Sequence, residues 1–289
     1  MTTVREALTQ GIQELRAREE YCDARLDAQI LLEHVLGVER ALFYAYPERP
    51  VTPEQRQQFL ALIARRKQGE PVAYLVGHKE FYGLDLLVDR RVLIPRPETE
   101  LLVEMALQII RQKLAAGQIP LVADIGTGSG AIPIALAVEE PRLPYLYACD
   151  ISSAALEVAR LNCQKYHVEK RVRLLQGDLL APLPEAVDVL IANLPYVGTE
   201  EMVSLAPEVR AYEPSEALFS GLKGLDLLRR FCQEARNSGR LKSGAVMLLE
   251  IGYQQCEPLT DLVHELWPAA TVTCKKDYAG WDRMLQVAV

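Results

Sequence analysis

Asp124-Ile-Gly126-Thr-Gly128-Ser-Gly130 stands between a short apolar run, Pro120–Ile125, and a helical pattern, Ala131–Glu139. Three alternate glycines let the backbone take angles closed to other residues and pass close beneath a ligand. The amides that open the following helix favour a carboxylate or a phosphate. Strand, glycine turn and helix in that order make the opening unit of an α/β domain, which binds its ligand where the strands end. Gly126-x-Gly128-x-x-Ala131 also satisfies the dinucleotide fingerprint. The loop by itself therefore leaves the ligand open, with a purely structural glycine turn as the alternative.

Downstream the alternation continues. Leu146–Asp150, Val172–Gln176, Val187–Ala192 and Ala245–Ile251 are apolar runs of strand length, and Ser153–Tyr166 and Leu225–Ser238 carry helical patterns between them. Short apolar strands separated by helices predict a mostly parallel, doubly wound sheet. Residues 270–289 add two strand-like pieces around Ala279-Gly280, a hairpin at one edge. Asp150 ends the second strand, where an acid can accept hydrogen bonds from both hydroxyls of a ribose. Capping of the next helix is the alternative, although Ser152 and Ser153 can do that instead. Asp178, in Gln176-Gly-Asp-Leu179, ends the third strand at a place that suits an exocyclic adenine amino group, with Leu179 against the ring. A plain turn would read the same way.

Upstream the texture differs. Residues 1–76 read as a small helical bundle. Thr3 and Glu6 form a capping box ahead of a stripe of Val4, Ala7, Leu8, Ile12 and Leu15. Asp23 caps a second helix carrying Leu26, Ile30, Leu31 and Val35, and Gly37 stops it. Thr52-Pro53 starts a third helix that runs through Phe59, Leu62 and Ile63 to Gly69. Phe43, Tyr44 and Tyr46 are expected in the bundle core. Arg65-Arg66-Lys67 reads as a solvated face, with contact to an acidic partner as the alternative. Residues 77–97 predict a hairpin, Glu80–Gly83 and Leu84–Val88, and then a stiff extended linker fixed by Pro95 and Pro97. A helix follows from about Glu98, and residues 98–289 form the second domain.

The chain has 289 residues, 49% hydrophobic and 25% charged, a globular composition with length for two domains. No apolar run reaches the roughly 18 residues that span a bilayer, and no signal-peptide pattern opens the chain. These readings predict a cytoplasmic monomer without a membrane partner. A net charge of −7 gives no global field for nucleic acid. The six cysteines show no C-x-x-C pair and the four histidines are dispersed. All cysteines are therefore expected to be reduced and no metal is expected.

Asn193-Leu-Pro-Tyr196 directly follows the fourth strand, so it faces the same cleft as the glycine loop. These four residues suit a planar amide or amine nitrogen as the reacting atom. The lone pair of an amide is delocalised and needs orienting. The Asn193 side-chain oxygen and the Leu194 carbonyl can accept its two N–H groups, Pro195 can fix the second acceptor, and Tyr196 can stack on the flat group. Orientation of that kind is worth roughly 7–11 kcal/mol of a barrier. No strong base is required where such a nitrogen becomes acidic only after it has reacted. A turn without chemistry is the alternative.

The tetrapeptide together with Asp-x-Gly-x-Gly-x-Gly resembles the amino-methyltransferases that modify adenine, cytosine or glutamine nitrogens. Three further stretches, Pro71-Val-Ala-Tyr-Leu-Val-Gly77, Glu80-Phe-Tyr-Gly83 and Val92-Leu-Ile-Pro-Arg-Pro-Glu-Thr-Glu100, are similar to the HemK/PrmC family. So are Glu208-Val-Arg-Ala-Tyr-Glu-Pro214, Ala217-Leu218 and Gly224-Leu225. The resemblance runs over nearly the whole chain. It implies an α/β, Rossmann-like, seven-stranded methyltransferase domain whose last strand pair is antiparallel, preceded by the helical bundle. It implies methyl transfer from S-adenosyl-L-methionine to N5 of the glutamine in the Gly-Gly-Gln motif of class-1 peptide chain release factors, which the bundle docks. By the same resemblance Asp124, Gly126, Thr127, Gly128, Ser129, Gly130, Asp150, Asp178, Leu179 and Asn193 hold the cofactor. Asn193, Pro195 and Tyr196 are then catalytic, and with Leu194 they bind the glutamine.

Two positions depart from the family pattern: Leu194 stands where proline is usual, and the Leu179 position is often aromatic. Asn-Leu-Pro-Tyr is also carried by RNA adenine dimethylases, which keeps N6-adenine methylation of RNA or DNA as the alternative function. That reading predicts a basic face, against which residues 1–70 carry 10 Lys/Arg and 11 Asp/Glu. A nicotinamide oxidoreductase would share the glycine loop and acid but has no use for the tetrapeptide. A non-catalytic binding module would not need Asn193. No role follows for Arg96.

Overall fold

The structure, a computed structural model, describes residues 2–16 and 23–289. In chain order its first elements are β1 (Thr2–Thr3), α1 (Val4–Arg16), α2 (Ala24–Leu36), α3 (Ala41–Ala45), β2 (Pro50–Val51), α4 (Pro53–Lys67) and α5 (Val72–Val76). A hairpin, β3 (His78–Phe81) and β4 (Leu84–Leu87), and α6 (Glu100–Ala115) follow. Next come β5 (Val122–Ile125), α7 (Ala131–Glu139), β6 (Leu146–Asp150), α8 (Ser153–Lys165), β7 (Val172–Gln176) and β8 (Val187–Ala192). The last elements are α9 (Pro207–Tyr212), α10 (Asp226–Asn237), β9 (Leu241–Glu250), α11 (Cys256–Leu266), β10 (Thr271–Lys276) and β11 (Asp282–Ala288). They cluster into two units, one of Met1–His78 with Leu205–Tyr212, the other of Lys79–Ser204 with Glu213–Val289.

In the first unit the capping signals fall where the helices begin. The Thr3 and Glu6 side chains each meet the other's backbone amide, Asp23 accepts from two amides of α2, and Thr52 and Gln55 close a full capping box on α4. Val4, Leu15, Leu31, Leu32, Phe43, Phe59 and Ile63 form the core. Two expectations need correction. Of the aromatic trio only Phe43 is buried, while Tyr44 and Tyr46 are each 63% exposed, because the five-residue α3 turns one face inward. Arg65-Arg66-Lys67 is a solvated face only in part, since Arg65 and Lys67 are exposed but Arg66 is not. Arg66 is buried between Asp27, at 2.7 Å, and Glu208, while Arg65 pairs with Glu70 and Lys67 with Glu14. Short-range sequence cannot reveal that acids from three other segments converge on this corner.

The second unit is built on one seven-stranded sheet in the order β10-β11-β9-β8-β5-β6-β7. Strands β5 to β9 run parallel, and β11 lies antiparallel to both β9 and β10. The predicted strands, crossover helices and antiparallel tail are all present. Successive strand residues bury on opposite faces, as the pleat requires. Val122, Val189 and Ile191 pack with α6 and α7, whereas Ala123, Leu190 and Ala192 pack with α10 and α11. From β5 the chain winds outward through β6 to β7, then returns to place β8 on the other side of β5. The winding reverses between β5 and β8, the place where ligands bind in open sheets. Ile125 pairs with Ala192 across that gap, so Gly126 and Asn193 leave the sheet side by side.

The linker approaches this point under tight control. Tyr82 and Gly83 both take positive φ in the two-residue hairpin turn, the geometry that matches strand twist. Asn162, fully buried on α8, bonds both backbone groups of Leu87 and donates to the Ser129 carbonyl at 2.9 Å, tying hairpin to glycine loop. Arg96 pairs with buried Glu213, which also accepts from the Ile94 amide at 3.0 Å. That is the role the sequence did not yield for Arg96: it clamps the linker.

The cysteine expectation also needs correction. Cys256 and Cys274 are joined as a disulfide with Cα atoms 6.3 Å apart, because α11 folds back to set its first residue beside β10. Asp282 lies beside them, but cysteines joined in a disulfide have no thiolate to offer a metal. Cys149, Cys163 and Cys232 are free and buried, and Cys22 lies outside the described residues. No described helix is long and apolar enough to cross a membrane.

Candidate active site

A cleft of about 320 Å³ opens at the carboxyl ends of β5, β6, β7 and β8, the scale of a small-molecule site. Gly126, Gly128, Asp150, Asp178, Leu179, Asn193, Leu194 and Pro195 line it, as expected from sequence. Gly126 and Gly128 take φ of 77° and 55°, and a Cβ on Gly126 would stand only 3.0 Å from Leu194. Asp150 spans the site. Its Oδ2 accepts from the Gly128 amide at 2.8 Å and its Oδ1 from Ser152 at 2.9 Å. Burial raises the pKa of Asp150, and these amides oppose the shift. Each oxygen keeps a lone pair. Ser152 caps α8, so Asp150 is not needed for capping.

Other predicted residues lie off the cleft wall. Asp124 is fully buried behind it with the buried Thr127 hydroxyl beside it, and no hydrogen bond of good geometry reaches either carboxylate oxygen among the described residues. Burial lifts Asp124 to about 7, and the neighbouring Thr127 hydroxyl opposes the shift only in part. Ser129 and Gly130 shape the turn into α7 without facing the cavity. Asp178 pairs with Arg230. Leu179 holds φ at 45°, a strained angle for a side-chain-bearing residue, while its side chain walls the cavity. Cys149, also on the wall, is pushed up to about 12 by burial and stays a thiol.

Asn193 emerges from β8 with both ends of its amide distinguished. Its Nδ2 donates to Thr99 Oγ1 at 3.0 Å, and its Oδ1 accepts from no described residue. Thr99 donates in turn to Glu250 Oε2 at 2.7 Å, and the Tyr196 hydroxyl donates to Glu250 Oε1 at 2.9 Å. Tyr196 thus turns its hydroxyl away from the cavity, and burial beside Glu250 raises its pKa. The Tyr196 carbonyl accepts from Gln255 Nε2 at 2.8 Å, and Gln255 also holds the Lys223 carbonyl. A Cβ on Gly224 would fall 1.9 Å from that same Tyr196 carbonyl, which explains a glycine there. Thr99, Glu250, Gln255, Arg91 and Arg230 were not anticipated. Thr99 looked like a helix start and Glu250 like the polar end of a strand, and only tertiary structure brings them to Asn193.

A glycine loop and an Asn-x-Pro-Tyr segment at the switch point of a seven-stranded sheet define a methyltransferase domain. The family model of the methyltransferase small domain matches residues 100–209. The same fold occurs in the hMettl16 catalytic domain in complex with a MAT2A 3'UTR hairpin, at TM-score 0.56 and 16% identity over 78% of this chain and 81% of that one. The family model of the PrmC N-terminal domain matches residues 6–77. Release factor glutamine methyltransferases of Moorella thermoacetica and Koribacter versatilis are 40% and 37% identical, covering 97% and 91% of this chain and 96% and 91% of theirs. That of Bacillus anthracis is 39% identical over 89% of this chain and 90% of its own. The chain belongs to the release factor glutamine methyltransferase family, as its linker motifs implied.

Proposed function

We propose that the chain transfers a methyl group from S-adenosyl-L-methionine to N5 of the glutamine in the Gly-Gly-Gln motif of class-1 peptide chain release factors, in the cytoplasm. One observation carries the reading: Asn193 spends its amide nitrogen on Thr99 and keeps Oδ1 for a donor at the mouth of the glycine loop. A primary amide is such a donor.

The residues fit the methyl donor. Asp150 retains lone pairs for two ribose hydroxyls, and Leu179 and Pro195 give apolar walls for a flat base. Asp124, buried behind the loop with its pKa raised to about 7, would be drawn toward its ionised form by a cationic ligand. Bound there, the donor supplies an electrophilic methyl on sulfur. Asn193 Oδ1 and the Leu194 carbonyl take the two N–H groups of the glutamine, which orients its lone pair, and Tyr196 covers its face. The cleft is lined by the carboxyl groups of Asp150, Asp178 and Glu216, weak bases by type. Asp150 is held by backbone amides, Asp178 by Arg230, and Cys149 keeps its proton. The chemistry asks for no strong base, because the proton leaves after the methyl arrives. The N-terminal unit docks the release factor.

The test is transfer of labelled methyl to purified release factor, beside a Gln-to-Ala control in Gly-Gly-Gln and total RNA. Label on the release factor that vanishes in the control is expected. Label on RNA alone would favour the adenine reading and overturn this one.

A further inference from the structure

Four side chains from three parts of the sequence are linked by hydrogen bonds that converge on Glu250: Asn193 donates to Thr99, and Thr99 and Tyr196 donate to Glu250. Thr99 and Glu250 are 4% and 1% exposed. Glu250 has no salt-bridge partner among the described residues; burial raises its pKa, and the Thr99 and Tyr196 hydroxyls and the nearby Arg283 charge oppose that shift and favour the carboxylate. A threonine hydroxyl carries one proton, and an ionised carboxylate only accepts. With Glu250 ionised and Tyr196 donating to one of its oxygens, Thr99 gives its single proton to the other. Thr99 can then only accept from Asn193. The Asn193 amide is forced to turn its nitrogen toward Thr99 and its oxygen toward the cleft.

We propose that Thr99 and Glu250 are positioning residues that lock the orientation of the Asn193 amide, and so make the site selective for an acceptor that offers N–H groups. The inference rests on the reading of Asn193 as the group that grips the substrate amide. Were Glu250 replaced by glutamine, its new N–H group could donate to Thr99, freeing that hydroxyl to donate to Asn193. Asn193 could then flip and present its own N–H groups, which repel the substrate's. The lock also fixes Tyr196, since the same carboxylate holds the tyrosine hydroxyl.

Three variants test this: Thr99→Val keeps the shape without the hydroxyl, Thr99→Ser keeps the hydroxyl, and Glu250→Gln keeps size without the fixed polarity. Methyl transfer to release factor is measured at saturating donor, with S-adenosylhomocysteine binding as a check on the cofactor half. Thr99→Val and Glu250→Gln should lose tenfold or more in kcat, an effect typical of a misplaced reacting group, while binding of S-adenosylhomocysteine holds. Thr99→Ser should recover most of the loss. Equal loss in Val and Ser variants would mean packing and overturn the proposal, as would wild-type rates in Thr99→Val. A second readout needs no substrate. The Asn193 side-chain NH₂ resonances, assigned by their loss in Asn193→Asp, should exchange slowly with solvent in the wild type and rapidly in Thr99→Val. Rapid exchange in the wild type would overturn the lock. If the wild type methylates no release factor while this protection is present, the proposed function fails and the lock stands.

Discussion

Asp124 lies in β5 and Asn193 directly follows its paired neighbour β8, yet they make opposite demands on their surroundings. Asn193 keeps one acceptor free, so removing it should cost chemistry more than folding. Asn193→Ala is expected to retain donor binding while methyl transfer falls by well over tenfold, the scale on which one orienting group acts; normal transfer would refute the amide grip. Asp124 is buried, and its pKa rises from 3.8 to about 7. A group bound more tightly to its proton in the folded state stabilises the fold at low pH, and that stability fades as pH climbs from about 4 to about 7. The displacement corresponds to about 4 kcal/mol at the upper limit. The stability of Asp124→Asn relative to the wild type should therefore improve across that pH window, measured by thermal unfolding without ligand. A flat difference would show that Asp124 titrates normally. Asn193 could be read from the sequence because its tetrapeptide is contiguous. Glu250 and Thr99 could not, since their meaning depends on contacts across 54 and 94 residues of chain.

At the scale of elements, the strands were legible because their two-sided burial writes continuous apolar runs into the sequence. Leu146–Asp150 and Val187–Ala192 agree residue for residue with such strands, and Val172–Gln176 also agrees although, at the sheet edge, only Val172 of it is buried. Segments whose shape is set by partners left no such trace. The turns between residues 197 and 224 follow backbone bonds to one another, as in Val197 to Leu218 and Thr199 to Gly221, rather than any periodicity. Gly224 is the pin of that assembly. Gly224→Ala would thrust a methyl into the Tyr196 carbonyl at a backbone angle, φ 71°, that alanine disfavours. It should lower the melting temperature by several degrees, as strain of about 1–3 kcal/mol would. Transfer should fall as well, since Tyr196 must shift. An unaltered melting curve would show that the loop yields freely.

For the molecule as a whole, composition and charge drew only outlines: globular, acidic, long enough for two bodies. They gave no hint that Leu205–Tyr212 belongs with the N-terminal unit. Arg66 is the residue most exposed to that arrangement, being buried between Asp27 and Glu208. Arg66→Ala would leave Asp27 without its cation, a loss on the order of 3–5 kcal/mol for a buried pair. Differential scanning calorimetry should show destabilisation of the first unit, with the second unit, Lys79–Ser204 and Glu213–Val289, less affected; equal loss in both would mean that they unfold as one.

The same arrangement has a consequence for synthesis. A ribosome delivers the chain from its N-terminus, so the helical bundle emerges with one of its pieces still unmade. At roughly 5–20 residues per second, the interval between residues 78 and 212 lasts tens of seconds at the slow end and several seconds at the fast. During that wait nascent Arg66 lacks Glu208, and the bundle remains vulnerable to proteases until α9 has cleared the exit tunnel.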